Sequence, residues 1–404
     1  MPSRMDYHKK NKQNTKLLIG GAAAVILIII LGVFGWQQAK SHNAAVNAAN
    51  KKQAAFNKTH FNPNVTIYGV KVGKMTVASA TKAINAKALN QVTDTDGKVT
   101  VSRNPKVETI TQAQVQKYFD KQHTTLTNTQ QYTYVNKDID AGKQALNKVL
   151  AATVTYKVAG KSFKLDAKKY VTKASYYKGA THFEDVKKLT AKLEKMDSEV
   201  GTLDKKFKFK TPTGSTVTVT NKSYGWGIYV KSAEEAILKA YQDGKSIIDG
   251  KNHIYGKGYT TEGLGYGKAN NGLGHSYVAV SIASQNLWVV KNGKVVVSIP
   301  DVVTGTANST TGDATPKGVW YIFYKQRGVT LRGTNDDGSA YASKVSYWMP
   351  FTLTGCGLHD ASWRTDWSST AYLDGGSHGC VNIRPSEIKS VWDAVDVHMP
   401  VVVF

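Results

Sequence analysis

The sequence predicts three kinds of structure: an N-terminal transmembrane helix, an α+β region, and a mostly-β, sandwich-like C-terminal domain. Three observations support this prediction. Residues 17–36 form an uncharged apolar run, residues 61–255 mix helical and alternating apolar patterns, and residues 275–404 alternate as strands do. A chain of 404 residues is long enough for two or three domains, because single hydrophobic cores rarely grow to that size.

The N-terminal segment has the pattern of a membrane anchor. Residues 17–36 match the roughly 20 apolar residues that a helix needs to cross a bilayer. Residues 1–16 carry Arg4, Lys9, Lys10, Lys12 and Lys16. The positive-inside rule therefore predicts a single-pass cell-membrane protein with a cytoplasmic N-terminus and extracytoplasmic C-terminal domains. A cleaved signal peptide and a buried core helix are the alternatives, although signal peptides usually have shorter apolar runs that end in small residues.

The next segments predict a stalk and then mixed structure. Residues 37–60 are rich in Ala, Asn, Lys and Gln, and we interpret them as the stalk. A hairpin over 65–73 is followed by a helix over 78–89, with Thr76 or Ser79 as its N-cap. The same order, a strand and then a capped helix, is predicted over 224–241. Further elements are predicted as helices at about 139–152 and 183–196 and strands at 207–209 and 216–219.

Glycines mark the boundary before the C-terminal domain. Residues 256–274 are crowded with them, which favours an inter-domain linker. A phosphate-binding loop is disfavoured, because the Lys-Ser/Thr of a P-loop is absent. Strands are then predicted at 277–282, 286–290, 294–299, 319–324 and 401–404. Asn292-Gly293 predicts a two-residue hairpin between the second and third of these.

The charge of the chain is unevenly distributed. The formal net charge is +24, yet residues 275–404 carry ten basic and ten acidic side chains, so the surplus lies upstream. Outside a membrane, nucleic acid is excluded as a reasonable partner, and the anionic partners left are lipid headgroups and wall polymers. A merely solvated basic surface is the alternative.

One short sequence near the C-terminus predicts covalent chemistry. Seventeen residues separate His359 from the sequence Ser377-His378-Gly379-Cys380-Val381-Asn382, and Thr315-Pro316-Lys317-Gly318 precedes both. Cysteine thiols ionise near pH 8.5, so a nucleophilic Cys380 needs a neighbouring imidazole or oriented dipoles. In a strand over 355–359, alternation places His359 on one face and Cys356 on the other.

These residues resemble the catalytic domain of the YkuD-like L,D-transpeptidases, whose pattern is a His, a gap of 14 to 17 residues, and Ser/Thr-His-Gly-Cys-x-Asn. The resemblance covers about 275–404, and the strand-helix pattern around Gly69 to Gly73 resembles the peptidoglycan-binding domain that often precedes it, here 61–255. The family implies that a Cys380 thiolate is the nucleophile and that His359 is the base, oriented by the carbonyl of Asp360. It also implies acylation by carbapenems and no cofactor or metal.

Other residues of the motif are assigned supporting roles. The N–H groups of Gly379 and Cys380, with His378, are placed to hold an oxyanion. Ser377, Asn382 and Arg384 would brace the loop, and Arg384 could instead clamp a substrate carboxylate. Two further candidates for substrate contact, the aromatic residues Trp363 and Tyr372, lie in the loop 361–376. Their side chains are expected either to contact substrate or to pack locally.

Three other interpretations of Cys380 are disfavoured. A zinc site with His359 and His378 lacks a convincing fourth ligand. A structural disulfide with Cys356 is disfavoured by the alternation, and a buried inert thiol by the flanking His-Gly.

The predicted reaction is the cross-linking of peptidoglycan stem peptides in cell wall biogenesis. Cys380 attacks the bond after the third residue of a donor tetrapeptide, D-Ala leaves, and an amine of a neighbouring stem resolves the thioester into a 3→3 cross-link. Hydrolysis by an L,D-carboxypeptidase is the alternative enzyme. A wall-binding protein with a vestigial catalytic domain is the alternative outside enzymes, and the intact motif speaks against it.

Overall fold

A computed structural model describes residues 39–122, 130–132, 137–335 and 337–404. The chain divides into two compact units, one up to Leu146 with Ala174–His182, the other Asn147–Lys173 with Phe183–Phe404. The predicted transmembrane helix at 17–36 lies outside the described residues. Within the ranges given above, no helix is both long and apolar enough to cross a membrane.

Helices and short strands alternate through the first half of the described chain. In order they are α1 (Ala39–Asn57), β1 (Val65–Ile67), β2 (Val70–Lys71), α2 (Val77–Lys87), β3 (Gln91–Thr95), β4 (Lys98–Ser102), α3 (Gln112–Asp120), β5 (Gln130–Tyr132), α4 (Lys137–Leu150), β6 (Thr153–Val158), β7 (Lys161–Asp166), α5 (Ala167–Tyr170), β8 (Lys173–Tyr177) and β9 (Ala180–Asp185). The strands of the first unit form sheets in the orders β2-β1-β5 and β4-β3-β8-β9.

The hairpin and helix predicted at the start of the first unit are confirmed. Tyr68 and Gly69 both have left-handed φ angles, 53° and 70°, as a tight two-residue turn between β1 and β2 requires. Helix α2 begins at Val77, and the hydroxyl of Thr76 accepts a hydrogen bond from the Ser79 N–H at 3.2 Å. Of the two candidate caps, Thr76 is therefore the N-cap.

The second unit continues with two longer helices among short sheets. Its next elements are α6 (Lys187–Val200), β10 (Lys206–Lys210), β11 (Thr216–Thr220), β12 (Gly227–Ile228), α7 (Val230–Asp243), β13 (Ile247–Asp249), a 3₁₀ turn (Gly250–His253) and β14 (Ile254–Tyr255). The strands pair in the orders β13-β6-β7, β10-β11 and β12-β14.

Two boundaries in this part differ from the sequence prediction. Helix α6 begins at Lys187, because Phe183 belongs to β9, which the turn at Lys178 and Gly179 folds back along β8. Helix α7 begins at Val230, with Tyr229 at the N-cap position and no side-chain cap. The predicted capping of this helix is therefore wrong, since the hydroxyl of Ser232 is inside the helix and contacts His253 Nδ1 at 2.8 Å.

The glycine-rich segment 256–274 is folded against its own unit. The N–H of Leu264 donates to the Gly225 carbonyl at 3.0 Å, and the Tyr224 hydroxyl donates to the Gly272 carbonyl at 2.8 Å. Leu273 is buried. The segment is therefore a series of packed turns, and its role as a domain boundary stays a prediction.

The C-terminal part contains two sheets. Its elements are β15 (Tyr277–Ser281), β16 (Asn286–Lys291), β17 (Lys294–Ile299), β18 (Gly318–Tyr321), β19 (Gln326–Thr334), β20 (Ala340–Pro350), β21 (Gly357–Asp360), α8 (Ala371–Asp374), β22 (Val381–Ile383), α9 (Ile388–Ala394) and β23 (Pro400–Val403). The strand orders are β17-β16-β15-β23-β18 and β19-β20-β21-β22. The predicted Asn292-Gly293 turn is present, with φ angles of 51° and 78°.

One apolar core joins these two sheets. It includes Val280 and Val289 from the first sheet, Leu358 and Val381 from the second, and Val391 from α9. Alternation along each strand supplies these buried side chains, as expected for a mostly-β domain with one core between two sheets. This confirms the predicted mostly-β character of the C-terminal part.

Candidate active site

The site lies where two parallel strands of the second sheet meet. Strand β21 pairs with β22 so that His359 is opposite Asn382, and Cys380 immediately precedes β22. Both strands line a pocket of about 280 Å³. Of the residues singled out from the sequence, this pocket is lined by His359, Trp363, Ser377, His378, Cys380 and Asn382.

The thiol of Cys380 is held by the backbone around Cys356. Its Sγ lies 3.6 Å from the carbonyl oxygen of Gly355, and the N–H of Gly357 donates to it. The pKa of Cys380 is raised to about 12, chiefly by burial and also by the nearby Cys356, while the Gly357 N–H acts in the opposite direction. Burial therefore favours the neutral thiol over the thiolate in the free protein.

The imidazole of His359 is buried and oriented. Its Nδ1 lies 2.9 Å from the carbonyl oxygen of Asp360, so Nδ1 carries the proton and Nε2 is the acceptor, a tautomer assigned from the partner. Burial lowers the pKa of His359, the bond to Asp360 raises it, and the charge of Arg364 lowers it. The ring is therefore neutral near pH 7 and able to accept a proton.

The loop before Cys380 is fixed by two hydroxyl groups. Ser377 Oγ donates to the Cys380 carbonyl at 2.6 Å and accepts from the Gly379 N–H at 3.1 Å. Thr315 Oγ1 donates to the Gly379 carbonyl at 2.9 Å and accepts from the Gly305 N–H at 2.8 Å. Thr315, the first residue of Thr315-Pro316-Lys317-Gly318, thus fixes the loop. The Gly379 N–H, which was expected to hold the oxyanion, is bonded to Ser377 in the free protein.

Glycine is required at position 379. Its φ of 108° lies in the left-handed region, and a Cβ there would lie 2.8 Å from the Cys356 Sγ. The thiol of Cys356 is therefore packed against the loop that carries Cys380, although its side chain belongs to the apolar core.

A β-hairpin covers one side of the pocket. His378 stacks on Tyr341, with ring centroids 5.1 Å apart and planes inclined by 15°. Tyr341 lies on β20, and Leu331 of β19 also lines the pocket. Sequence reasoning missed Tyr341, because nothing local connects a tyrosine of a long hairpin with a distant cysteine motif.

Asp360 contributes through both its backbone and its side chain. The carbonyl orients His359, and the buried carboxylate accepts hydrogen bonds from the N–H groups of Ser346 and Tyr347 at 2.8 and 2.9 Å. These bonds tie β21 to β20. Asp360 therefore supports the base without reaching the thiol.

Only some of the residues predicted to contact substrate lie at the pocket. Trp363 and Arg364 line it, whereas Tyr372 and Arg384 do not. The guanidinium of Arg384 lies 4.8 Å from the ring centroid of Trp367. It is also 3.9 Å from Asp301, so its contacts are structural ones around the loop.

Two of the alternative interpretations of Cys380, the disulfide and the zinc site, can be compared with the described part of the chain. Cys356 and Cys380 are both free thiols. No cluster of three or more His, Cys, Asp or Glu side chains suited to a metal occurs among the residues that the structure describes.

Comparisons with known proteins give two family matches. Residues 275–403 match the YkuD family, an L,D-transpeptidase catalytic domain, and residues 132–249 match a peptidoglycan binding domain family. Among curated relatives from Mycobacterium tuberculosis, "Probable L,D-transpeptidase 3" is 29% identical over 22% of this chain and 34% of its own length. L,D-transpeptidase 1 is 25% identical over 37% of this chain and 59% of its own length. The chain thus spans less than two thirds of either relative.

A solved structure resembles more of the chain. A cysteine-to-serine mutant of Enterococcus faecium L,D-transpeptidase is 28% identical, with a TM-score of 0.50. The match covers 65% of this chain and 99% of that one.

Proposed function

Because the chain contains a YkuD-type L,D-transpeptidase catalytic domain at 275–403 and a peptidoglycan-binding domain at 132–249, we propose that it cross-links peptidoglycan stem peptides. The observation that carries this proposal is the pairing of β21 with β22. Because of this pairing, the buried neutral imidazole of His359 and the thiol of Cys380 line the same pocket. That pair can transfer an acyl group without a cofactor.

In the first half-reaction, Cys380 attacks the carbonyl carbon after the third residue of a tetrapeptide stem. His359 takes the thiol proton as the carbon–sulfur bond forms, since the thiol is neutral beforehand. The developing oxyanion is held by the Cys380 N–H together with His378. Collapse of the intermediate breaks the peptide bond, and protonated His359 returns its proton to the amine of the departing D-Ala.

In the second half-reaction, the amine of a neighbouring stem attacks the thioester and regenerates the Cys380 thiol. His359 now removes a proton from the attacking amine and passes it to the Cys380 sulfur as the carbon–sulfur bond breaks. The product is a 3→3 cross-link. Water in place of the amine would give a shortened stem and no cross-link.

We also propose that the protein acts outside the cytoplasmic membrane. The apolar run at 17–36 would anchor it in the cell membrane by a single helix, with the catalytic domain outside. Its partners would be stem peptides and anionic wall polymers, which the basic upstream region suits.

The experiment compares wild type, Cys380→Ala and Cys356→Ala incubated with a disaccharide-tetrapeptide. We expect wild type and Cys356→Ala to release D-Ala and to form dimers with a 3→3 bond, and Cys380→Ala to form none. Mass spectrometry of the products separates dimers from hydrolysed tripeptides. A carbapenem should add covalently to the same two active proteins, and an adduct on Cys356 in Cys380→Ala would sink the assignment.

A further inference from the structure

The side chains of Arg364, Asn382 and His359 form a chain of hydrogen bonds. With the Asn382 amide oriented by its neighbours, its oxygen accepts from Nε and Nη2 of Arg364 at 3.0 and 3.1 Å. The amide nitrogen then donates to Nε2 of His359 at 3.2 Å. The opposite orientation would place the amide oxygen against an acceptor and the amide nitrogen against two donors, so the chemistry of the neighbours selects this one.

Arg364, Asn382 and His359 each make a further contact that holds them in place. Arg364 Nη1 donates to the Gly375 carbonyl at 2.8 Å, which closes the loop 361–376 on itself. Asn382 is 2% exposed and lies in β22 beside His359, and Nδ1 of His359 is bonded to the Asp360 carbonyl. Both ring nitrogens of His359 are therefore occupied in the free protein, one as a donor and one as an acceptor.

We infer that Arg364 is a positioning residue for His359: by a two-pronged hydrogen bond it orients the Asn382 amide, which keeps the imidazole neutral with its proton on Nδ1. This inference rests on the proposed function in that it assigns the controlled group as the base. For His359 to accept the thiol proton in the proposed reaction, the Asn382 amide must give up its contact with Nε2.

The charged and titratable groups around His359 are consistent with this assignment. Asp360 raises and Arg364 lowers the pKa of the imidazole, while burial lowers it most. Cys380 and His378 line the same pocket. Removing Arg364 takes away one lowering charge and also frees the amide to turn its oxygen toward Nε2, and both changes favour a proton on that nitrogen.

The test uses the full chain carrying ¹⁵N-labelled histidine and records the ring nitrogens of His359 from about pH 5 to 9. His359→Ala identifies the resonances. In wild type we expect the proton on Nδ1 and unprotonated Nε2 at pH 7. In Arg364→Met, Nε2 should gain a proton and the titration should move to higher pH.

Two further variants separate geometry from charge. Arg364→Lys keeps the charge but cannot make the two-pronged bond, so we expect its tautomer to resemble that of Arg364→Met. The matched control is Arg327→Met, which removes another arginine of the same domain that contacts the rings of Tyr347 and Trp392. It should leave the His359 spectrum unchanged.

The outcomes decide the inference independently of catalysis. An unchanged tautomer and titration in folded Arg364→Met would overturn it, and so would full restoration of the wild-type tautomer by Lys. Since the spectra are those of the free protein, they hold whether or not Cys380 proves to be the nucleophile. Carbapenem acylation of Arg364→Met at pH 7 should fall by less than the about 10²–10⁴-fold expected for loss of the base itself.

Discussion

At the scale of single residues, the site combines a thiol that resists ionisation with a histidine that resists protonation. Burial produces both effects, raising the pKa of Cys380 and lowering that of His359. Two neutral partners need no compensating charge inside the protein, which avoids the cost of burying an ion pair. In the proposed reaction, proton transfer to His359 then accompanies the attack of the thiol.

This arrangement predicts how pH affects the two histidines. His359→Ala should lose about 10²–10⁴-fold of the acylation rate at pH 7. Because the Cys380 pKa is about 12, the thiolate fraction rises tenfold per pH unit, so the variant should recover steadily up to pH 10 without a plateau. Carbapenem acylation rates from pH 6 to 10 provide the measurement.

His378→Ala is the matched comparison for that experiment. His378 stacks on Tyr341 at the pocket and is proposed as an oxyanion contact. Such a contact does not act on the ionisation of the thiol. Its defect should therefore persist at high pH. Recovery of His378→Ala with none for His359→Ala would reverse the two roles.

At the scale of the elements, the cysteine loop depends on Thr315. This buried hydroxyl joins Gly305 and Gly379, two glycines whose backbones approach closely. Thr315→Val keeps the shape but leaves both backbone groups unsatisfied, which typically costs about 1–3 kcal/mol per group. We expect a lower Tm and slower acylation. Thr216→Val, at an exposed position on β11, is the control, and equal effects of the two substitutions would contradict the clamp.

Elements with strong local patterns were predictable, and long-range contacts were not. Asn292-Gly293 between alternating strands predicted β16 and β17 because a two-residue turn needs left-handed residues. The start of α6 was misplaced because Phe183 pairs in a hairpin that its own helical spacing does not indicate. At the site, the motif located Cys380 and His359, whereas Arg364 depends on the fold of a loop without a repeating pattern.

At the scale of the whole molecule, the uneven distribution of charge predicts that polymer binding and catalysis depend on different parts of the chain. The basic surplus lies upstream of residue 275, and strand β10 presents exposed lysines at alternating positions: Lys206, Lys208 and Lys210. The opposite face of β10 packs into an apolar core through Phe209, so the lysine face is left to solvent, where it suits a polyanion. Binding to wall polymers through this region should therefore not require the catalytic cysteine.

The test is sedimentation of Cys380→Ala protein with purified cell wall at increasing salt. Replacing Lys206, Lys208 and Lys210 by Gln should weaken binding, and so should high salt, because screening acts most on exposed charges. The control replaces three exposed lysines of the catalytic domain, Lys294, Lys317 and Lys344, by Gln and so changes the net charge equally. If both triple variants bind alike, net charge alone governs retention; weakening only in the β10 variant locates the polymer on the upstream region.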